Sequence, residues 1–124
     1  GTEIVRLKFK FEEELKRNLS GVHVLFDESY RLPHICVLAF EGVDSDALLF
    51  ALSQHQVTAS LGGGSFQKLS LVLKACNIDP TLAQCALSFC LTYMITEEEV
   101  SYAINIITQV VTSLRKVSSS LFDA

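Results

Sequence analysis

The sequence predicts a single α+β domain in which a small, mostly antiparallel sheet carries helices packed on one face. Its 124 residues are the usual length of one domain. With 49% hydrophobic and 19% charged residues, the chain can form a core and lacks the composition of a disordered protein. Helical and extended patterns alternate along it, an order typical of helices layered on a sheet. We therefore expect one domain over residues 1–118, followed by a tail over 119–124.

The N-terminal half predicts one long helix, two strands and a short helix. Apolar residues in the first segment recur at steps of three and four with charges between them, which is the pattern of an amphipathic helix. The run Ile35–Phe40 is apolar throughout, which favours a strand that is covered on both faces or is central in its sheet. Asp44 can cap the helix that follows it. The predicted elements are a helix over 3–19, strands over 22–26 and 35–40, a turn over 27–33, and a helix from Asp44 to Gln54.

The C-terminal half contains the clearest local signal. Thr96 and Glu99 form a capping box, in which the threonine oxygen accepts from the third helical amide and the glutamate reaches back. Asp79-Pro80 is a cap followed by a first-turn proline. The predicted elements are a brief strand over 57–60, a break over 62–65, a helix over 66–76, a short helix from Asp79 to about Gln84, a strand over 86–91, and a helix over 97–117.

Charge and hydropathy exclude several kinds of partner. Fourteen acidic and ten basic residues give a net charge of −4, so no basic surface for nucleic acid or an anionic membrane is expected. No apolar run approaches the roughly 18 residues of a membrane span, and the charged N-terminus does not resemble a signal peptide. We expect a soluble, cytoplasmic protein. The chain begins Gly1-Thr2 and its one methionine is Met94, so we also expect a piece of a longer polypeptide.

The cysteines and histidines predict no metal site. Four cysteines lie in apolar contexts without a Cys-x-x-Cys pair, which is typical of buried free thiols. The histidines are scattered singly along the chain, so they do not form a ligand pattern. The residues concerned are Cys36, Cys76, Cys85 and Cys90, with His23, His34 and His55.

Two further patterns could carry chemistry. Gly62-Gly63-Gly64-Ser65 could approach a phosphate with its backbone, but it lacks the Gly-Lys-Ser/Thr ending of a P-loop and predicts a flexible loop. The acidic runs at 12–14 and 97–99 lie on helices, where solvated faces or first turns are the expected positions for carboxylates. No local signature groups a serine or cysteine nucleophile with a base.

Six segments of the chain form one further pattern. They are Arg31-Leu32-Pro33-His34, Phe40-Glu41-Gly42-Val43-Asp44-Ser45-Asp46-Ala47-Leu48-Leu49, Gln54 to Ser60, Val72-Leu73-Lys74-Ala75, Leu82-Ala83-Gln84, and Ile95 to Ile104. Together these segments resemble the C-terminal small domain of cysteine desulfurases in the class V aminotransferase family. The resemblance covers residues 1 to about 118 in order and with similar spacing.

This resemblance implies the small domain of a fold-type I enzyme that uses pyridoxal phosphate and is usually a homodimer. In that family the Schiff-base lysine, the aspartate at the pyridine nitrogen and the phosphate site belong to the large domain. The large domain of the parent protein is therefore the expected partner. The present chain alone is expected to bind no cofactor tightly.

The resemblance also identifies two positions for family residues. The nucleophilic cysteine of the desulfurases falls at Gly62, in a candidate cleft loop formed by Ser60, Gly62, Gly63, Gly64 and Ser65. The arginine that holds the substrate carboxylate falls at Ser88. Because a thiolate and a guanidinium are both lost, we expect the domain to be non-catalytic. The alternatives are part of an active transaminase or lyase with a changed substrate, and a stand-alone interaction module.

Overall fold

The structure, a computed structural model, describes residues 2–25, 34–61, 73–91, 94 and 96–123. The predicted turn over 27–33 and most of the predicted helix over 66–76 lie outside these residues. The elements in chain order are α1 (Thr2–Asn18), β1 (Val22–Leu25), β2 (Ile35–Phe40), α2 (Ser45–Gln54), α3 (Pro80–Ala83), β3 (Ala86–Cys90) and α4 (Glu97–Asp123). Residues 73–75 are also helical.

The three strands form an antiparallel sheet in the order β1-β2-β3. Leu38 of β2 lies opposite Val24 of β1 on one side and Leu87 of β3 on the other. All residues of β2 except the first are buried. The apolar run Ile35–Phe40 is therefore the central strand of the sheet, as its composition predicted.

The main core lies between one face of the sheet and the helices α1, α2 and α4. Side chains alternate across a strand, so Cys36, Leu38 and Phe40 of β2 point to this face together. Phe89 sits among them and makes edge-on contacts with two other rings. Its ring centroid is 5.3 Å from that of Phe11 and 6.4 Å from that of Phe40. The predicted α+β layer is confirmed.

The opposite face of the sheet holds a smaller apolar cluster. Val37, Ala39 and Ala86 point to this face and pack with Leu73 and Ala83. The short helix α3 and the turn at residues 73–75 thus cover part of the face that the long helices leave open. Small residues in this cluster allow those segments to approach the sheet closely.

The helix ends follow the caps that the sequence indicates. The Asp44 carboxylate accepts from the N–H of Ala47 at 3.1 Å, and the Asp79 carboxylate accepts from the N–H of Thr81 at 2.8 Å. At α4, Thr96 Oγ1 accepts from the N–H of Glu99 at 3.1 Å. The Glu99 side chain reaches back to the Thr96 hydroxyl at 2.9 Å rather than to its backbone N–H.

One helix end and one predicted strand are wrong by more than a single residue. The last helix was expected to end at Val117, but α4 continues to Asp123 through most of the predicted tail. Serines lower helix propensity only slightly, and no glycine or proline stops the helix there. The predicted strand over 57–60 is also not a strand, because only Ser60 forms a single isolated bridge.

The chain leaves α2 in a fixed direction, because the helix ends in a specific hydrogen-bonded turn. Gln56 adopts a left-handed conformation with φ of 63°. The N–H of Val57 donates to the carbonyl of Leu52, and the N–H of Gln56 donates to the carbonyl of Ser53. This is a Schellman motif, and the buried side chains of Leu52 and Val57 supply its apolar contact. Within the described residues, no helix is long and apolar enough to cross a membrane.

Candidate functional site

The structure brings together two of the positions that the sequence singled out, Ser60 and Ser88. The N–H of Ser60 donates to the carbonyl of Ser88 at 2.8 Å, and the N–H of Ser88 donates to the carbonyl of Ser60 at 2.9 Å. This reciprocal pair is an antiparallel bridge on the edge of β3 that β2 does not occupy. The start of the candidate cleft loop is therefore attached to the strand that carries Ser88.

Ser88 lies on the second face of the sheet and is half-buried. Its neighbour on β2 is Val37, which belongs to the small apolar cluster. The flanking residues Leu87 and Phe89 point to the opposite face and are buried in the main core. Two fully buried neighbours fix the register of β3, so the position of Ser88 is determined by the packing of the strand.

The remaining loop positions of the candidate site are Gly62, Gly63, Gly64 and Ser65, and they lie outside the described residues. The described chain reaches Leu61, one residue before Gly62. The Ser60 bridge is thus the described anchor nearest to the expected position of the family nucleophile.

The burial of the four cysteines differs from the sequence prediction at two positions. Cys36 and Cys85 are buried as expected, but Cys90 is half-buried and Cys76 is exposed. Cys76 lies where the helix at residues 73–75 ends, next to Asn77 in a left-handed conformation with φ of 63°. Since the chain turns away there, the apolar stripe of this helix ends at Leu73, which is fully buried.

A second correction concerns the acidic run at 12–14. Glu12 is buried on the sheet side of α1, although an exposed position was predicted. It lies close to the Cys36 thiol on β2. Burial raises the pKa of this thiol well above its usual range, and the negative charge of Glu12 raises it further. Cys36 is therefore held as a neutral thiol, which is a poor nucleophile.

A cavity that the sequence analysis did not foresee lies beside the segment leading to Ser60. It has a volume of about 430 Å³ and lies between residues 56–58 and the start of α4. Buried Val57, Met94 and Ala103 line it together with more exposed polar residues. Beside this cavity, Tyr102 Oη donates to the carbonyl of His55 at 3.0 Å and so links α4 to the end of α2. No local motif could indicate this cavity, because its walls lie about 40 residues apart in sequence.

The residues at the Ser60–Ser88 bridge do not include a lysine. The cofactor is held through a lysine amine, whereas the Ser60–Ser88 site offers hydroxyl groups and a backbone bridge whose amides are already paired. In the described part of the chain, no three His, Cys, Asp or Glu side chains lie close enough to bind a metal ion.

Comparison with known proteins identifies one group of relatives. The chain is 33% identical over 121 residues to a cysteine desulfurase of Azotobacter chroococcum and 32% identical over 121 residues to the cysteine desulfurase NifS of Azotobacter vinelandii. Each match covers 94% of this chain and 30% of the relative. The chain therefore spans about a third of the length of the curated relatives that it matches. No protein-family model matches it.

Solved structures share the fold. A NifS-like protein from Rickettsia africae ESF-5 superposes with a TM-score of 0.74 at 19% identity, over 88% of this chain and 28% of that protein. A second NifS-like protein gives a TM-score of 0.75 at 24% identity, over 90% of this chain and 28% of that protein. At these identities the agreement concerns the fold.

Proposed function

We propose that this chain is the C-terminal small domain of a cysteine desulfurase-like protein of the class V aminotransferase family, and that its role is structural and non-catalytic. The observation that supports this role most directly is the Ser60–Ser88 bridge. It joins the start of the loop expected to hold the nucleophile to the strand expected to hold the carboxylate-binding arginine. The domain thus keeps the framework of the site with neither functional group at the matching positions.

The missing thiol matters because sulfur transfer from cysteine needs a thiolate that can approach the substrate. Gly62, at the matching position, has no side chain. The thiols of Cys36 and Cys85 are buried, and Cys36 is also held neutral beside Glu12. Cys76 is exposed, but it follows the helical turn at residues 73–75 rather than lying in the loop. We infer that none of these thiols replaces the nucleophile.

The missing guanidinium affects substrate binding. An arginine holds a carboxylate through two parallel N–H···O bonds and a full positive charge. Ser88 offers one neutral hydroxyl on a shorter side chain, so it cannot reproduce either interaction. The α-carboxylate of an amino acid therefore lacks its usual partner at this position.

Pyridoxal phosphate, when present in the parent protein, supplies the electron sink for amino-acid chemistry and is held by groups of the large domain. We propose that the present chain covers one side of the cofactor cleft in that protein, and that the full-length protein is a homodimer. In this role the helices α1, α2 and α4 hold the sheet rigid, and the sheet presents Ser88 and the loop after Ser60.

The role is tested by assaying the full-length parent protein, saturated with pyridoxal phosphate, for release of alanine and sulfide from L-cysteine. We expect no turnover under conditions in which the cysteine desulfurase NifS of Azotobacter vinelandii is active. Turnover at a comparable rate would contradict the proposal. Absorbance spectra with a panel of amino acids test the alternative of an active transaminase, because conversion to the pyridoxamine form with any of them would show retained catalysis.

A further inference from the structure

A second cleft lies on the other side of the molecule from α3, between the end of α1 and the later turns of α4. Its volume is about 370 Å³. Thr112, Arg115, Lys116 and Ser119 line it from α4, and their spacing places them on one face of that helix. Asn18, Leu19 and Ser20 line it from the end of α1. Two positive charges and four neutral hydrogen-bonding side chains thus face the same space, and no carboxylate lines it.

Among the described residues, neither cation in this cleft has a carboxylate within 4.0 Å. In the described residues, ion pairs within 4.0 Å involve Arg6, Lys10, Lys16 and His23 as the basic partners. Neither Arg115 nor Lys116 is among them. In a chain with more acids than bases, two adjacent unpaired cations leave a local positive potential.

The guanidinium of Arg115 is also held in position. Its Nε donates to the carbonyl of Glu41 at 2.9 Å. Gly21 provides the space for it, because a β-carbon at this residue would lie 3.3 Å from Arg115 Nη2. The Glu41 carboxylate lies near the same glycine, with Oε2 at 3.3 Å from His23 Nε2, and forms no ion pair within 4.0 Å with Arg115. An arginine fixed through Nε loses little side-chain freedom when it binds a ligand.

We propose that this cleft binds the phosphate group of a small phosphate monoester. A phosphate carries close to two negative charges and several acceptor oxygens, which match the two cations and the amide and hydroxyl groups of Asn18 and Ser20 beside them. A carboxylate carries one charge and would neutralise only one of the two cations. This binding is independent of the proposed loss of catalysis.

The probe is inorganic phosphate, titrated at pH 8 and constant ionic strength into the isotope-labelled chain while amide chemical shifts are recorded. We expect saturable shifts at residues lining the cleft, chiefly Ser20, Thr112 and Lys116. Arg115→Gln and Lys116→Gln should each weaken binding about tenfold, since a charge-assisted hydrogen bond is lost. Lys74→Gln, which removes an exposed charge outside the cleft, should leave the dissociation constant unchanged.

Three outcomes would overturn the proposal. The first is the lack of saturable shifts at the cleft, and the second is an equal loss of affinity in Lys74→Gln. The third is binding of acetate as tight as that of phosphate, which would show that the cleft does not select for phosphate. Lys116 forms no hydrogen bond to a described side chain, so Lys116→Gln remains informative even if Arg115→Gln alters the packing of α4 against Gly21.

Discussion

Gly21 shows how a single residue connects the end of α1 to the rest of the fold. It adopts a φ of +63°, and its carbonyl accepts from the N–H of Glu41 at 2.9 Å. A β-carbon here would lie 2.7 Å from Glu41 Oε2 and 3.1 Å from Glu41 Cβ. The contact with Cβ is the more serious one, because that atom cannot move without the backbone. The residue is therefore restricted both by its dihedral angle and by the space around it.

Gly42 provides a matched control for this restriction. It also has a positive φ, of +80°, but a β-carbon there would meet nothing within 4 Å. We expect Gly42→Ala to cost about 1 kcal/mol of unfolding free energy, from the left-handed backbone alone. Gly21→Ala should cost roughly 1 kcal/mol more, of the order seen for overpacking. Urea unfolding of both variants measures the difference, and equal losses would show that the space at Gly21 is unimportant.

The burial of Cys36 predicts how the free energy of unfolding changes with pH. Its pKa is raised in the folded chain, so the folded state keeps the proton at pH values where the unfolded state loses it. The associated stability is fully present below the unfolded pKa of about 8.5 and falls as pH rises above it. The expected decline is about 1.4 kcal/mol per pH unit. Unfolding free energies measured from pH 8 to 10 should show this excess slope in the wild type.

Cys36→Ala is the control, because all other titrating groups remain in it. The variant should be less stable than the wild type at pH 7 but should show a shallower decline at alkaline pH. Parallel curves for the two proteins would mean that the Cys36 thiol ionises as readily in the folded chain as in the unfolded one. The burial of Glu12 beside it could not be predicted, since within a run of three acids the sequence gives no sign of which one faces the sheet.

Among the elements, α4 depends most clearly on a local signal. Thr96 both accepts from the N–H of Glu99 and donates to its carboxylate, so its hydroxyl organises the first turn. Thr96→Ala should lower the unfolding free energy by about 1 kcal/mol. Thr96→Ser keeps the oxygen and should stay within about 0.5 kcal/mol of the wild type. Chemical denaturation of the two variants measures both changes, and similar losses would point to the methyl group of Thr96 instead of its hydroxyl.

The same element shows where prediction from sequence succeeds and fails. Periodicity and caps indicated α1, α2, α3 and the start of α4 because these signals act within a few residues. The end of α4 was misplaced, since nothing local marks it and the helix continues through the serines after Val117. The expected strand over 57–60 failed for a different reason. Its partners are set by the edge of β3, and only Ser60 meets that edge.

The candidate site shows the same difference between local signals, which the sequence reveals, and contacts between distant residues, which it does not. The resemblance to desulfurases located Ser88 and the loop by sequence order, and the structure then showed that Ser60 and Ser88 are paired. This pairing joins residues far apart in the chain, so no local pattern could reveal it. The cavity beside Tyr102 and the basic cleft at Arg115 escaped prediction for the same reason.

At the scale of the whole molecule, the three helices and the sheet meet in one core centred on Phe89. This ring is fully buried and contacts Phe11 of α1 and Phe40 of β2. Phe89→Ala should lower the unfolding free energy by about 3–5 kcal/mol, through lost burial and the cavity it leaves. Phe50 is 58% exposed, so Phe50→Ala should change stability by less than about 0.5 kcal/mol. Thermal unfolding of both variants tests whether the core is organised in this way.

We propose that the domain is a cysteine desulfurase-like framework with Gly62 and Ser88 at the two positions expected to be reactive. Trapping of protein-bound persulfide tests this claim most directly. The parent protein, saturated with pyridoxal phosphate, is mixed with L-cysteine, alkylated without reductant and analysed by peptide mass spectrometry beside the Azotobacter vinelandii enzyme. The account predicts no cysteine-dependent persulfide on any thiol of this domain. A persulfide formed on Cys36, Cys76, Cys85 or Cys90 would contradict it.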